Sequence, residues 1–308
     1  MSFRDDVLAG LAARPRAIPA RWFYDREGSE LFEAITRLPE YYPTRAEAAI
    51  LKAACDELAA AVGPSRAVVE FGSGSSTKTR ILLRCVRPAA YVPIDISGEF
   101  LRDAAASLRG EFPDLEVVPC EADFMRPLVL PDAVAGAPKL GFFPGSTIGN
   151  LEPASAVDLL RAMRGSLGEG AQLLIGMDRV KERDVLLAAY DDAEGVTAAF
   201  NLNLLARINR ELEGDVPLDA FQHRAIWNEG AGRIQMHLEA ARDVAFTVAG
   251  ERFAMTAGET IHTENSHKYT PESARLLLRA GGWAPVAEWT DGLFLLLLAE
   301  AQPPRAAP

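Results

Sequence analysis

The chain has 308 residues, 49% hydrophobic and 24% charged, an ordinary balance for a soluble globular protein of one large or two smaller domains. With 43 acidic residues against 32 basic ones the net charge is −11, which argues against nucleic acid or an anionic membrane as the main partner, because both select basic surface. No apolar run approaches the ~20 residues of a membrane helix and Met1-Ser-Phe-Arg-Asp-Asp6 lacks a leader pattern, so a cytoplasmic protein is expected.

In chain order, a short helix is predicted over 5–13, followed by a segment with Pro15 and Pro19. Aromatic Arg21-Trp-Phe-Tyr-Asp25 precedes a helix over 28–35. The loop Leu38-Pro-Glu-Tyr-Tyr-Pro-Thr44 ends with Thr44 placed to cap a long helix over 45–61. Strands and helices then alternate: strand 67–71, helix 77–87, strand 90–95, helix 98–110, strand 115–120, strand 139–143, helix 154–167, strand 171–177 and helix 181–190. Such alternation implies right-handed βαβ crossovers and a parallel sheet. A long helix over 196–212 breaks the rhythm, and 219–268 then shows strand periodicity in a mostly antiparallel insertion. A helix over 271–281 leads to strands 283–289 and 293–300, which only Thr290-Asp-Gly292 separates, so they form a hairpin. The Pro/Ala-rich tail Gln302 to Pro308 is expected to be disordered. Cys55, Cys85 and Cys120 show no ligand spacing and are expected to be buried, reduced thiols; no metal site is expected.

The stretch Ala67-Val-Val-Glu-Phe-Gly-Ser-Gly-Ser-Ser-Thr-Lys78 reads as strand, glycine turn, helix. Gly72 and Gly74 let the backbone turn sharply and approach a ligand. A dinucleotide fingerprint wants a third glycine where Thr77 stands. S-adenosylmethionine (SAM) fits better on three counts. Glu70 stands immediately before the loop. Asp123-Phe124 follows the third strand, where an acid can take an adenine amino group and a ring can lie against the base. The closing hairpin is the third, since a seven-stranded sheet ending this way resembles the class I SAM-dependent methyltransferase fold, Rossmann-like α/β. Asp95 ends the second strand, where it suits ribose hydroxyls or a helix cap. Lys78 suits either the cofactor carboxylate or solvent.

The motifs Trp22-Phe-Tyr-Asp25, Leu38-Pro-Glu-Tyr-Tyr-Pro-Thr-Arg-Ala46, Glu70-Phe-Gly-Ser-Gly74, Gly145-Ser-Thr-Ile-Gly-Asn150, Ala193-Glu-Gly-Val-Thr-Ala-Ala-Phe-Asn201 and Thr263-Glu-Asn-Ser266 resemble, in this order, the histidine Nα-methyltransferases of ergothioneine biosynthesis. The resemblance covers nearly the whole chain. It implies conversion of L-histidine to its trimethyl betaine, hercynine, with three SAM, by a monomer. It also implies a methyltransferase core over 45–190 and 270–301, and an α+β substrate domain made of 1–44 and 191–269. Asn150 and Tyr190 then hold the substrate carboxylate, and the Gly145 carbonyl lies near the α-amino group. Tyr41, Glu264 and Ser266 surround the imidazole, with Tyr24 nearby and Met236 lining the pocket. Tyr24 and Asn150 are the catalytic candidates.

Glu264 and Ser266 stand two apart on a strand and so share one face. A carboxylate there can accept an imidazole N–H and discriminate against phenyl or indole side chains. Read without the resemblance, the same strand is a surface strand with its polar residues outward. Other openings are a methyltransferase for a different amino acid or small amine, a SAM-binding module without catalysis, and a nicotinamide oxidoreductase.

Overall fold

The computed structural model describes residues 2–73, 77–96 and 98–303, and within them the chain divides into two compact units. The first unit takes residues up to Tyr42 together with Lys181–Lys268; the second takes Pro43–Val180 and the chain from Tyr269 onward. In chain order the first unit opens with α1 (Phe3–Ala12), β1 (Arg16–Ala17) and α2 (Arg26–Ile35). The second follows with α3 (Pro43–Ala53), α4 (Cys55–Val62), β2 (Ala67–Phe71), α5 (Thr77–Val86), β3 (Ala90–Asp95), α6 (Gly98–Glu111), β4 (Glu116–Val117), β5 (Cys120–Glu121), β6 (Lys139–Phe143), α7 (Pro153–Leu167) and β7 (Gln172–Asp178). The chain returns to the first unit with α8 (Arg183–Ala188), α9 (Val196–Glu211), β8 (Phe221–Asn228), β9 (Arg233–Ala240), β10 (Val244–Val248), β11 (Glu251–Met255) and β12 (Thr260–His267). It closes in the second with α10 (Pro271–Ala280), β13 (Trp283–Thr290) and β14 (Phe294–Ala301).

The second unit is built on one sheet in the order β13-β14-β7-β6-β2-β3-β4, with β5 also pairing β3. Strands β7, β6, β2 and β3 are parallel, and β14 lies antiparallel between β7 and β13. Every residue of β2 and β7 is buried, as is β14 from Phe294 to Ala299, so these strands show no alternation of buried and exposed positions. The chain runs outward from β2 to β3 and β4, then crosses back to β6 on the other side of β2. That reversal makes a switch point between β2 and β6, where open α/β sheets place ligands. The glycine turn after β2 and the Pro144–Asn150 segment after β6 both leave the sheet there. This is the class I methyltransferase architecture.

The first unit holds a four-stranded sheet, β1-β12-β9-β8, in which β1 is parallel to β12 and the other pairs are antiparallel. Strand β9 alternates half-buried and buried residues over all eight positions, placing Ile234, Met236, Leu238 and Ala240 on the packed face. The register of β12 against β9 shifts by one residue between His262 and Glu264. A separate hairpin joins β10 and β11.

Several expectations are corrected. The predicted helix over 45–61 is two helices, broken at Ala54, and α3 starts at Pro43, so Thr44 lies within its first turn instead of capping it. The strand expected over 115–120 is two short pieces, and β1 lies in a segment where no strand was expected. Cys55 and Cys85 are joined in a disulfide between α4 and α5, which overturns the expectation of three reduced thiols; Cys120 is free. Helix α8 and Tyr190 fall in the first unit, since the compact units divide at Val180 and Lys181. Of the expected tail, residues 304–308 lie outside the described residues, while the Gln302 N–H donates to the Gly282 carbonyl at 2.9 Å. Among the described residues, no helix is long and apolar enough to cross a membrane and no His/Cys/Asp/Glu group has metal-site geometry.

Candidate active site

In the second unit the turn after β2 is fastened from the next strand: the Gly72 and Ser73 N–H groups both donate to the Ile94 carbonyl, at 2.9 and 3.2 Å. Gly72 has φ +75°, a conformation that disfavours any side chain, and the Phe124 ring lies 3.5 Å from where its Cβ would stand. Phe124 also packs edge-on against Phe71 and Phe143. Gly74 lies outside the described residues. Asp95 ends β3, and its carbonyl accepts from the Ala122 N–H at 3.1 Å, which brings Asp123 beside it at the same edge. Asp123 is exposed and its Oδ1 accepts from the Met125 N–H at 3.0 Å.

Glu70 points into the protein. Its carboxylate accepts from Thr79 Oγ1 at 2.8 Å and from the Tyr91 hydroxyl at 2.6 Å. Burial pushes its carboxyl up to about 7, against the opposing pull of these two donors and Lys78. Its part in the turn is therefore played through that buried network. Lys78 neither faces solvent nor stands alone: its ammonium donates to Glu47 Oε2 at 2.7 Å, and lies 3.2 Å from where a Cβ on Gly145 would stand.

Glu47, which the sequence reading passed over, is completely buried on the apolar face of α3 beside Ala46, Ile50 and Leu51. Its Oε2 also accepts from the Gly145 N–H at 2.8 Å, while Oε1 has no hydrogen-bond partner among the described residues. Space for it exists because Gly176 of β7 has no side chain; a Cβ there would stand 2.1 Å from Oε1. Glu47 thus ties the start of α5 to the segment after β6. That segment is held tightly: Gly145 has φ +82°, and Ser146, at φ +58°, accepts from the Asp178 N–H through its Oγ at 2.8 Å. Asn150 ends the following 3-10 turn (Thr147–Asn150), half-buried, and its amide makes no side-chain hydrogen bond among the described residues.

In the first unit the remaining candidates converge. The Tyr41 and Tyr190 rings are 6.2 Å apart, and Phe32 links Tyr41 to Tyr24 at 6.2 and 5.7 Å. The Tyr190 hydroxyl is 2.7 Å from Ser266 Oγ. Lys268, also missed by the sequence reading, donates to both, at 2.9 and 2.8 Å, and its ammonium lies 4.5 Å from the Tyr190 ring centre. Glu264 stands opposite Met236 across the strands, and Ser266 opposite Ile234. Desolvation raises the Glu264 carboxyl to about 7, with Lys268 opposing. Tyr24 as a residue is 44% exposed. Even so, surrounding protein, then Glu264, Tyr41 and Tyr190, hold its phenol well above the usual value, so it stays protonated near neutrality. Tyr24, Tyr41, Tyr190, Met236, Glu264 and Ser266 all belong to this unit.

A family model described as "Histidine-specific methyltransferase, SAM-dependent" matches residues 3–301. Histidine N-alpha-methyltransferase from Mycolicibacterium smegmatis is 45% identical over 94% of this chain and 91% of its own length. The protein of the same name from Mycobacterium tuberculosis is 43% identical over 94% and 92%. Ergothioneine biosynthesis protein 1 from Neurospora crassa is 31% identical over 90% of this chain, which spans 32% of that longer protein.

Proposed function

The chain belongs to the SAM-dependent, histidine-specific methyltransferases, and from that premise we propose that it methylates the α-amino nitrogen of L-histidine three times, giving hercynine, the first step of ergothioneine biosynthesis. The observation that supports the histidine reading is that Glu264 pairs with Met236 across the strands, while Ser266 hydrogen-bonds Tyr190, whose ring lies 6.2 Å from that of Tyr41. A phenyl ring can make neither, and an indole ring not both, of the polar contacts that Glu264 and Ser266 offer, and such a mismatch is costly.

The residues after the parallel strands fit SAM. Gly72 leaves the backbone open to close approach, Asp95 suits the ribose diol, Asp123 and Phe124 suit the adenine edge and face, and Lys78 suits the amino-acid carboxylate. Glu70 supports this turn from behind through Thr79 and Tyr91. Bound there, SAM supplies an electrophilic methyl group on a sulfonium.

For histidine, our reading assigns Asn150 and Tyr190 to the carboxylate, the Gly145 carbonyl to the α-amino group, and Glu264 with Ser266 to the imidazole. The α-amino nitrogen attacks only as the free amine, so a proton must leave the nitrogen before each of the three transfers. Tyr24 cannot act as a phenolate near neutral pH, but a protonated phenol can accept one proton while passing another to water. The largest contribution assigned to the site is orientation of the nitrogen in line with the transferred methyl. We further propose that the protein works as a monomer in the cytoplasm, which light scattering and fractionation test.

The deciding experiment is incubation with SAM and single amino acids, followed by mass spectrometry. Histidine is expected to gain one, two and then three CH₂ units with matching release of S-adenosylhomocysteine. Faster methylation of another amino acid, or SAM binding with no turnover, refutes the reading.

A further inference from the structure

Strict alternation along β12 would put Ile261, Thr263, Asn265 and His267 on one face, and His262, Glu264 and Ser266 on the other. Ile261 pairs with Leu238 and His262 with His237; the next pair is Glu264 with Met236. Strand β12 therefore spends two steps where β9 spends one, and Thr263 is the extra residue of a bulge. The extra step turns Glu264 and Ser266 onto the face of Ile234, Met236 and Leu238, all of them buried. Without it, Glu264 would fall on the His237/His262 face, where those two rings lie 5.0 Å apart.

A bulge leaves backbone groups without a ladder partner, and here side chains take over that task. Thr263 Oγ1 lies 3.0 Å from the Met236 carbonyl and 2.9 Å from Asn201 Oδ1, so its single hydrogen serves these two acceptors. Asn201 Nδ2 donates to the His237 carbonyl at 3.0 Å and to His223 Nδ1 at 2.8 Å. His223 Nδ1 is therefore an acceptor, and its Nε2–H donates to the Tyr190 carbonyl at 2.8 Å. Burial holds His223 below its usual pKa, in keeping with that neutral ring. Asn201 is completely buried and both its N–H bonds and its oxygen are used, so the network is closed around it.

We propose that Thr263, Asn201 and His223 are positioning residues for substrate selection: together they hold the bulge that aims Glu264 and fix the main chain that carries Tyr190. The proposal rests on the reading of Glu264 as the group that meets the imidazole. None of the three touches substrate in it.

The test is steady-state kinetics with histidine and SAM. Thr263→Val keeps the branched shape and removes the hydroxyl. It is expected to raise the KM for histidine about tenfold, the scale of one unsatisfied buried group, with kcat and SAM affinity within about twofold of wild type. Thr263→Ser, which restores the hydroxyl, is expected to recover most of the loss. In a Glu264→Ala background Thr263→Val is expected to add nothing further to the KM. A wild-type KM in Thr263→Val, an equal further rise in the Glu264→Ala background, or no recovery in Thr263→Ser overturns the proposal. If Thr263→Val does not fold, His223→Phe takes its place, with the same KM rise expected and an unchanged KM overturning the idea. Failure of the underlying reading looks different: Glu264→Ala would then leave the histidine KM untouched.

Discussion

Replacing Lys78 by Met removes the ammonium 2.7 Å from Glu47 Oε2 and keeps an unbranched side chain. Glu47 is completely buried and its other oxygen already has no partner among the described residues, so the carboxylate would keep only the Gly145 N–H. Breaking a buried ion pair by removing one partner costs about 3–5 kcal/mol. Because the Lys78 side chain keeps 15% exposure and the Gly145 donor stays, the lower end, about 3 kcal/mol, is expected. At roughly 2–4 °C per kcal/mol for a domain of roughly 150–250 residues, the calorimetric midpoint of the second unit should fall by about 6–12 °C. The double variant Glu47→Leu/Lys78→Met carries no buried charge and should regain most of that loss. SAM affinity should fall in both variants, because the ammonium assigned to the cofactor carboxylate is gone. A midpoint drop below about 2 °C in Lys78→Met, or a double variant no more stable than the single one, refutes this account of Glu47.

Glu264, raised to about 7, is ionised above that pH and takes a proton below it. If its carboxylate accepts the imidazole N–H, kcat/KM for histidine loses a component as pH falls through about 7, and Glu264→Gln, which does not titrate, lacks that component; identical profiles would sink the assignment. Tyr24→Phe should lower kcat roughly tenfold or more as a lost proton relay, and Asn150→Ala should raise the histidine KM by a similar factor; wild-type kinetics in both would remove them from the site. Gly145→Ala places a Cβ 3.2 Å from the Lys78 ammonium at φ +82°, and the strain of about 1–2 kcal/mol should cut activity, read as initial rate at saturating SAM. Thiol titration of the denatured, unreduced chain should find one group, Cys120, and three after reduction; three without reductant would contradict the Cys55–Cys85 pairing.

The sequence by itself determined the strand-and-turn framework of the second unit, to whose strand ends we assign the cofactor. Its residues follow strands within a few positions, as Gly72 follows β2, Asp123-Phe124 follows β5 and Gly145 follows β6. Buried parallel strands are unbroken apolar runs, and glycines mark where backbone must turn, so both signals are local. Glu47 was illegible because its partners lie 31 and 98 residues away, and a carboxylate at an apolar helix position explains nothing until they are seen. The Cys55–Cys85 pair likewise needed two helices to be brought side by side. The acceptor half shows the limit most clearly. Spacing alone put Glu264 and Ser266 on one face of a strand, but not on which face. That choice belongs to Thr263, because a bulge is a property of two strands in register, and the register of β12 on β9 exists only in the folded chain.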